Sequence, residues 1–245
     1  MDTTGYLDGI RSNVALFLEA ARSAGAGAPV PTCPEWDVAT LAVHQGRIFR
    51  WAAALVDGGS QEFIHPKTVG DVGPGEDPID WLEAGAARVL DVLGKADPDA
   101  PVWNWADQAP GPARFWIRRM AHEVTIHRAD AEAAASRANP VEPAELASDG
   151  IDEFVHLIAA RTRDGRVTAP TGSYHFHTTD VEGEWVVRVD DGGYTVTREH
   201  AKADVAVRGP ASALELYLYN RRGSDGLEIF GAPEQVAAWS ERVRF

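Results

Sequence analysis

The chain has 245 residues, of which 44% are hydrophobic and 24% charged, as in an ordinary globular protein with a substantial core. Its 37 acidic residues outnumber 23 basic ones, and the net charge of −14 argues against nucleic acid or an anionic membrane surface as the main partner. The first residues show no secretory signal, no stretch is long enough to span a membrane, and the single cysteine, Cys33, excludes an internal disulfide. We therefore expect a cytoplasmic protein with no nucleic-acid partner and no membrane partner.

The first two thirds of the chain show the periodicity of helices. Apolar residues recur at steps of three and four, and Asp37 is a suitable N-cap for the second helix. A segment rich in Gly and Pro, 57–78, reads as a long surface connection, and 97–112 holds four prolines together with Trp103 and Trp105. Five helices are predicted, over 3–24, 38–55, 78–95, 112–135 and 143–163.

After Arg163 the pattern changes to alternation. Short strands are predicted over 174–178, 184–190, 194–197 and 204–208, with helices over 210–221 and 233–243. Asp190-Asp191-Gly192-Gly193 is typical of a hairpin turn. The predicted fold class is α+β, with a four-helix-type bundle over 1–164 followed by a small α+β domain over 165–245.

Three side chains are candidates for a divalent-metal site. Glu123 and His127 lie four residues apart and share a helix face, while His44 lies on the apolar stripe of the second helix. If these two helices pack antiparallel, the three side chains converge, and two histidines with one carboxylate leave coordination positions open for chemistry. The zinc-protease motif HExxH is absent, because Ile126 stands four residues after His122.

Plainer interpretations stay open at this point. A histidine on an apolar stripe is often a hydrogen-bonded core residue, and a Glu/His pair one turn apart is often a solvated helix pair. His122 points about 100° away from Glu123 around the helix, which favours packing. Cys33 lacks an evident base partner, and His175 and His177 on one strand face are more typical of a solvated strand than of a metal site.

Two segments carry a resemblance to a known family. The segments TCPEWDVATLAVHQGRIFRWA (32–52) and RRMAHEVTIHRADAEAA (118–134) resemble the mycothiol-dependent maleylpyruvate isomerases, within the broader DinB-like metalloenzymes. The tail from 204, DVAVRGPASALELYLYNRR onward, is similar to the C-terminal domain of the same family. The resemblance covers nearly the whole chain and implies a DinB-like bundle followed by an α+β domain.

The resemblance also implies a chemistry. His44, Glu123 and His127 match the positions that bind a divalent metal, usually Zn²⁺, and mycothiol is the implied low-molecular-weight thiol cosubstrate. A thiolate adding to an activated double bond, permitting rotation and leaving gives cis–trans isomerisation of an unsaturated acid. A thiolate that displaces a leaving group and stays gives S-transfer to an electrophile. A metal- or ligand-binding module without turnover is the third alternative.

An arginine of the C-terminal domain is linked to activity in that family. Arg221 is the implied counterpart and Arg222 the reserve, although both also suit a helix end, where positive charge is favourable. Asn220 stands where the family has glycine, and Phe49 where a polar residue is common. These departures leave the predicted metal ligands in place.

Overall fold

The computed structural model describes residues 1–106, 111–138, 142–191 and 193–243. The chain forms two compact units, Met1–Pro140 and Val141–Phe245. Helices and a mixed sheet occur together, and the predicted α+β class is confirmed. No helix within the described ranges has both the length and the apolar character needed to cross a membrane.

The described residues of the first unit form four long helices. Three of them begin at an aspartate whose carboxylate accepts hydrogen bonds from backbone N–H groups of the first turn, namely Asp2, Asp37 and Asp77. Two predicted helices, 3–24 and 78–95, are reproduced residue for residue. The helices are α1 (Thr3–Ala24), α2 (Val38–Asp57), α3 (Pro78–Lys95) and α4 (Arg114–Ala134).

Contacts between side chains define the directions of these helices. His44 meets Glu123 and, seven residues further along α2, Trp51 meets Trp116, seven residues earlier on α4, so these two helices are antiparallel. Gly46 of α2 lies against Trp81 of α3, and Arg50, one turn later, lies against Gly85, so α2 and α3 are parallel. Two consecutive helices that run parallel need a long connecting segment, because the chain must return to the end at which the first helix began. That return is 58–77, which holds a 3₁₀ turn at Pro66–Val69. Between α3 and α4, the two-residue strands β1 (Pro101–Val102) and β2 (Gly111–Pro112) pair antiparallel.

Helices α2 and α3 approach closely at two glycines. A Cβ atom on Gly46 would lie 2.7 Å from the Trp81 ring, and one on Gly85 would lie 3.1 Å from the Gly46 carbonyl oxygen. The Arg50 guanidinium lies 3.7 Å from the centre of a Trp81 ring and donates to the Trp81 carbonyl. Phe49 is fully buried, so the residue that departs from the family pattern is a core residue here.

The second unit is built on a five-stranded sheet in the order β5-β4-β3-β6-β7. All pairs are antiparallel except β3 and β6, which run parallel. The strands are β3 (Gly172–Thr178), β4 (Glu184–Asp190), β5 (Gly193–Thr197), β6 (Val205–Gly209) and β7 (Glu228–Phe230). The predicted hairpin between β4 and β5 is present, with Asp190 opposite Gly193; Gly192 itself lies outside the described residues.

The described part of this unit also holds three helices, α5 (Ala144–Arg163), α6 (Ala211–Leu218) and α7 (Pro233–Arg242). One sheet face carries Tyr174, Phe176 and Trp185, all buried. Trp239 of α7 packs on the rings of Tyr174 and Phe176, and the Trp185 indole donates to Asp152 of α5 at 2.9 Å. Because α5 packs against β5 and α6, the units divide at 140/141, earlier than the predicted change at 164/165.

Candidate metal centre

Three side chains from α2 and α4 converge in the first unit. The Nε2 atom of His44 lies 3.4 Å from Oε1 of Glu123, and Nε2 of His127 lies 3.5 Å from the same oxygen. The ligand-type atoms of all three residues lie within 4.8 Å of one another. The antiparallel packing on which the sequence argument depended is what brings His44 to the other two.

The separations suit a common ion between the three atoms. Metal–ligand bonds of 2.0–2.1 Å in a tetrahedral site place neighbouring ligand atoms about 3.3 Å apart. The two measured separations to Glu123 are close to that length. His127 is buried, whereas the side chain of His44 is 33% exposed, so the cluster has a buried side and a solvent-facing side.

Arg119 fixes the orientation of the Glu123 carboxylate. Its guanidinium, one turn earlier on α4, forms an ion pair with Oε2, which leaves Oε1 facing the imidazoles. Burial raises the pKa of Glu123, but the charge of Arg119 and the hydrogen bonds with His127 and His44 outweigh burial and hold the pKa well below its usual range. Glu123 is therefore a carboxylate at neutral pH.

Asp130 performs a similar role for His127. Its Oδ2 atom lies 2.8 Å from Nδ1 of His127, and its Oδ1 atom accepts a hydrogen bond of 2.5 Å from the Thr32 hydroxyl. A carboxylate at Nδ1 directs the Nε2 nitrogen toward the cluster, as in many metal-binding histidines. Burial lowers the pKa of His127, but the bonds with Asp130 and Glu123 outweigh it and raise the pKa to about 9.

The loop before α2 covers one side of the cluster. The Trp36 ring lies 4.9 Å from the His44 ring and is stacked at 6.1 Å from the His127 ring. Cys33, in the same loop, places its sulfur 3.9 Å from Oδ2 of Asp130. Trp36 could not be predicted as part of this cluster, because a loop residue carries no periodicity that could place it.

His122 and the two tryptophans of the segment 97–112 pack against other aromatic side chains. His122 is fully buried and its ring contacts Tyr6 of α1 edge-on, as its position around the helix indicated. Trp103 packs with Trp51 and Trp116, and its carbonyl accepts from the Trp116 indole at 2.7 Å. Trp105 contacts Phe115.

Arg221 and Arg222 lie in the second unit, directly after α6. The N–H of Asn220 donates to Tyr217 and that of Arg221 to Leu216, which is the Schellman pattern of a helix end. Asn220 has φ of 58°, the left-handed conformation that glycine adopts most readily and that asparagine tolerates. Asn220 therefore supplies the backbone geometry of the glycine it replaces, and both arginines are half-buried.

The chain contains a helical bundle with a His/Glu/His cluster and an α+β domain. Two family models match it over most of its length. The model described as Mycothiol maleylpyruvate isomerase N-terminal domain matches residues 7–132, and the MDMPI C-terminal domain model matches 145–238. The chain belongs to the mycothiol maleylpyruvate isomerase family. None of the curated proteins matches it.

Solved structures show the same fold. A crystal structure of the mycothiol-dependent maleylpyruvate isomerase superposes with a TM-score of 0.62 at 15% identity, covering 100% of this chain and 98% of the other. A crystal structure of a histidine-to-alanine mutant of the mycothiol-dependent maleylpyruvate isomerase gives a TM-score of 0.66 at the same identity and coverage. At this identity the likeness establishes the fold of both units.

Proposed function

We propose that the protein is a metal-dependent enzyme that uses mycothiol as cosubstrate and isomerises a small unsaturated acid, as in the maleylpyruvate isomerase of similar fold. The observation that carries the proposal is the convergence of two imidazole nitrogens on one carboxylate oxygen. His44, Glu123 and His127 would hold the metal. Zn²⁺ is the ion proposed, because two imidazoles with one carboxylate suit it.

A divalent ion at this position would lower the pKa of a coordinated thiol and hold its sulfur as the thiolate. Neighbouring residues of the protein fix the orientation of the ligand side chains. Asp130 holds the His127 ring, and Arg119 holds the Glu123 carboxylate. The partly exposed His44 marks the side from which a thiol reaches the cluster, and the Trp36 ring lies beside it.

Arg221 and Arg222 are proposed to bind an anionic group of the substrate or of the thiol. A guanidinium suits a carboxylate because it donates two parallel hydrogen bonds. One Arg221 nitrogen already donates to the Tyr219 carbonyl at 2.8 Å, which fixes the side chain near the end of α6. The reduced state that a thiol cosubstrate needs favours the cytoplasm as the compartment.

Metal content and turnover test the metal centre together. His44→Ala and Glu123→Gln are expected each to remove one bound ion per chain and to lower kcat/KM with mycothiol and a cis-unsaturated diacid by at least ~100-fold, since even outer-shell changes cost 10–100-fold. His65→Ala is the matched control, because His65 is an exposed residue whose Nδ1 accepts from the Lys67 backbone N–H. Unchanged metal content in both variants would refute the proposed centre.

Products distinguish the reaction types. The expected product with the metal-loaded protein is the trans isomer, with mycothiol recovered unchanged. A stable mycothiol adduct, detected by mass spectrometry with a panel of electrophiles, would show that the reaction is S-transfer and not isomerisation. Metal binding without either product would show that the protein is a binding module and not an enzyme.

A further inference from the structure

Outside the first unit, three histidines surround one glutamate on the sheet. Glu184 of β4 lies directly opposite His177 of β3, and His175 lies on the same strand face two residues away. His200 follows β5 and completes the group. Nδ1 of His200 lies 3.0 Å from Oε1 of Glu184, Nε2 of His177 lies 3.3 Å from the same oxygen, and Nε2 of His175 lies 4.0 Å from Oε2.

The buried member of this group has an unsatisfied nitrogen. His175 is 7% exposed, and its Nε2 atom is inaccessible and makes no hydrogen bond. A buried polar atom without a partner is costly, and native proteins rarely leave one without a reason. That nitrogen lies 4.0 Å from Oε2 of Glu184, which is too far for a hydrogen bond.

Charges favour a cation at this place. Among the residues the structure describes, the ion-pair partners of Glu184 are the three imidazoles. The nearby arginines form ion pairs with other carboxylates, Arg188 with Glu199 at 3.0 Å and Arg208 with Glu228 at 3.8 Å. The Glu184 carboxylate is therefore not neutralised by a guanidinium.

Protonation states are compatible with metal binding. Burial lowers the pKa of His175, so that its ring is neutral and offers a lone pair. Burial raises the pKa of Glu184, but the hydrogen bond with His200 and the neighbouring imidazoles outweigh it and keep the pKa below its usual value. Neutral imidazoles and an ionised carboxylate are the forms that ligate a metal.

We propose that His175, Glu184 and His200 form a second divalent-metal site, on the sheet of the second unit. Ligand-type atoms of these three residues lie within 4.8 Å of one another. Imidazole with one carboxylate suits zinc and the later first-row ions. Since His200 is in the segment between β5 and β6, the ion ties that segment to β3 and β4, and the site is structural.

Zinc binding to the full, untagged chain tests this site separately from the first. With Zn²⁺ alone as the probe, equilibrium dialysis and elemental analysis are expected to give two ions per chain in the wild type. His44→Ala and His200→Ala are expected to retain one each, and the double variant none. His200→Ala lowers the affinity of the second site by at least ~10-fold, as the loss of a ligand must cost at least what an outer-shell change costs.

Control variants distinguish the loss of a zinc ligand from unfolding and from nonspecific zinc binding. The side chain of His200 is 78% exposed, so its loss leaves the core intact; Glu184→Gln is the second ligand variant. Glu199→Gln removes the same charge from the residue next to His200, but its carboxylate faces Arg188 and Thr197, so zinc binding is expected to be unchanged. Zinc binding in the His44→Ala protein that is absent, or that survives both His200→Ala and Glu184→Gln, would overturn the second site. One ion in the wild type that His200→Ala removes and His44→Ala leaves would support the second site and refute the first.

Discussion

Glu123 divides its two carboxylate oxygens between partners of different kinds. Oε2 pairs with the buried Arg119 guanidinium, while Oε1 faces two imidazole nitrogens. A carboxylate fixed in this way presents one oxygen in one direction, which is what a small coordination site requires. The spacing of Arg119 and Glu123, one helical turn apart, was a usable signal in the sequence.

Asp130→Asn tests the support of His127. The change removes the negative acceptor at Nδ1, and Zn²⁺ affinity is expected to fall by 10–100-fold, as for other outer-shell partners. Part of the loss in affinity is offset at neutral pH, because the same change lowers the pKa of His127. Protons then compete less strongly with the metal ion for Nε2 of His127. Competition against a chromophoric chelator, measured at pH 7 and above pH 9, checks both statements. Thr32→Val removes the other hydrogen bond to the same carboxylate and is the control; an equal loss in both variants would contradict a specific role for Nδ1.

Metal binding is expected to release a proton from His127. The pKa of about 9 makes the ring an imidazolium at pH 7 in the metal-free protein, and Nε2 binds an ion only after deprotonation. This protonation stabilises the metal-free fold fully below pH 6.5, and the stabilisation is lost as the pH rises through about 9. Calorimetry in buffers of different ionisation enthalpy is expected to show about one proton released per ion at pH 7. Binding heats that do not depend on the buffer would contradict this.

At the scale of elements, the contact between α2 and α3 depends on Gly46. A Cβ atom there meets the Trp81 ring at 2.7 Å and the Leu82 backbone at 3.1 Å, so the helices must separate. Gly46→Ala is expected to lower the free energy of unfolding by about 1–3 kcal/mol, as for other overpacked cores. Gly94→Ala is the matched control in α3, where nothing lies within 4 Å, and is expected to raise stability by up to ~1 kcal/mol. Urea unfolding followed by tryptophan fluorescence measures both; equal effects would refute the steric account.

Long helices were predictable because their apolar residues repeat over several turns. The shortest elements were not: β7 has three residues and β1 and β2 have two each, too few for any periodicity. Their positions depend on pairing with distant strands, as Val207 with Ile229. His44, Glu123 and His127 could be proposed from their positions on helix faces. The contacts of Trp36, in a loop, and the buried state of His175 could be read only from the fold.

For the whole molecule, the place of α5 decides how the chain divides. From the sequence, α5 was assigned to the bundle because it follows four other predicted helices. In the structure its Asp152 accepts a hydrogen bond from the Trp185 indole of the sheet, and its Phe154 packs on Tyr219. Helical periodicity reports which face is buried but not against what. The partner of a helix is a tertiary property.

Fragments test this division. A fragment of residues 141–245 is expected to fold and unfold cooperatively, whereas 165–245, which lacks α5, is expected to be unfolded because Trp185 loses its acceptor and its cover. Circular dichroism melts and the dispersion of amide NMR signals provide the measurements. A cooperative melt of 165–245 would show that the sheet folds without α5.

Trp36 lies against both imidazoles of the proposed centre, with ring separations of 4.9 and 6.1 Å. The emission of an indole in contact with an imidazole changes when that ring gains or loses a proton, and His127 is expected to lose one on metal binding. The chain thus contains its own optical reporter. The difference between the fluorescence of the wild type and that of Trp36→Phe isolates this one indole from the seven others. Occupancy of the centre can then be followed in real time, at nanomolar protein and without a label.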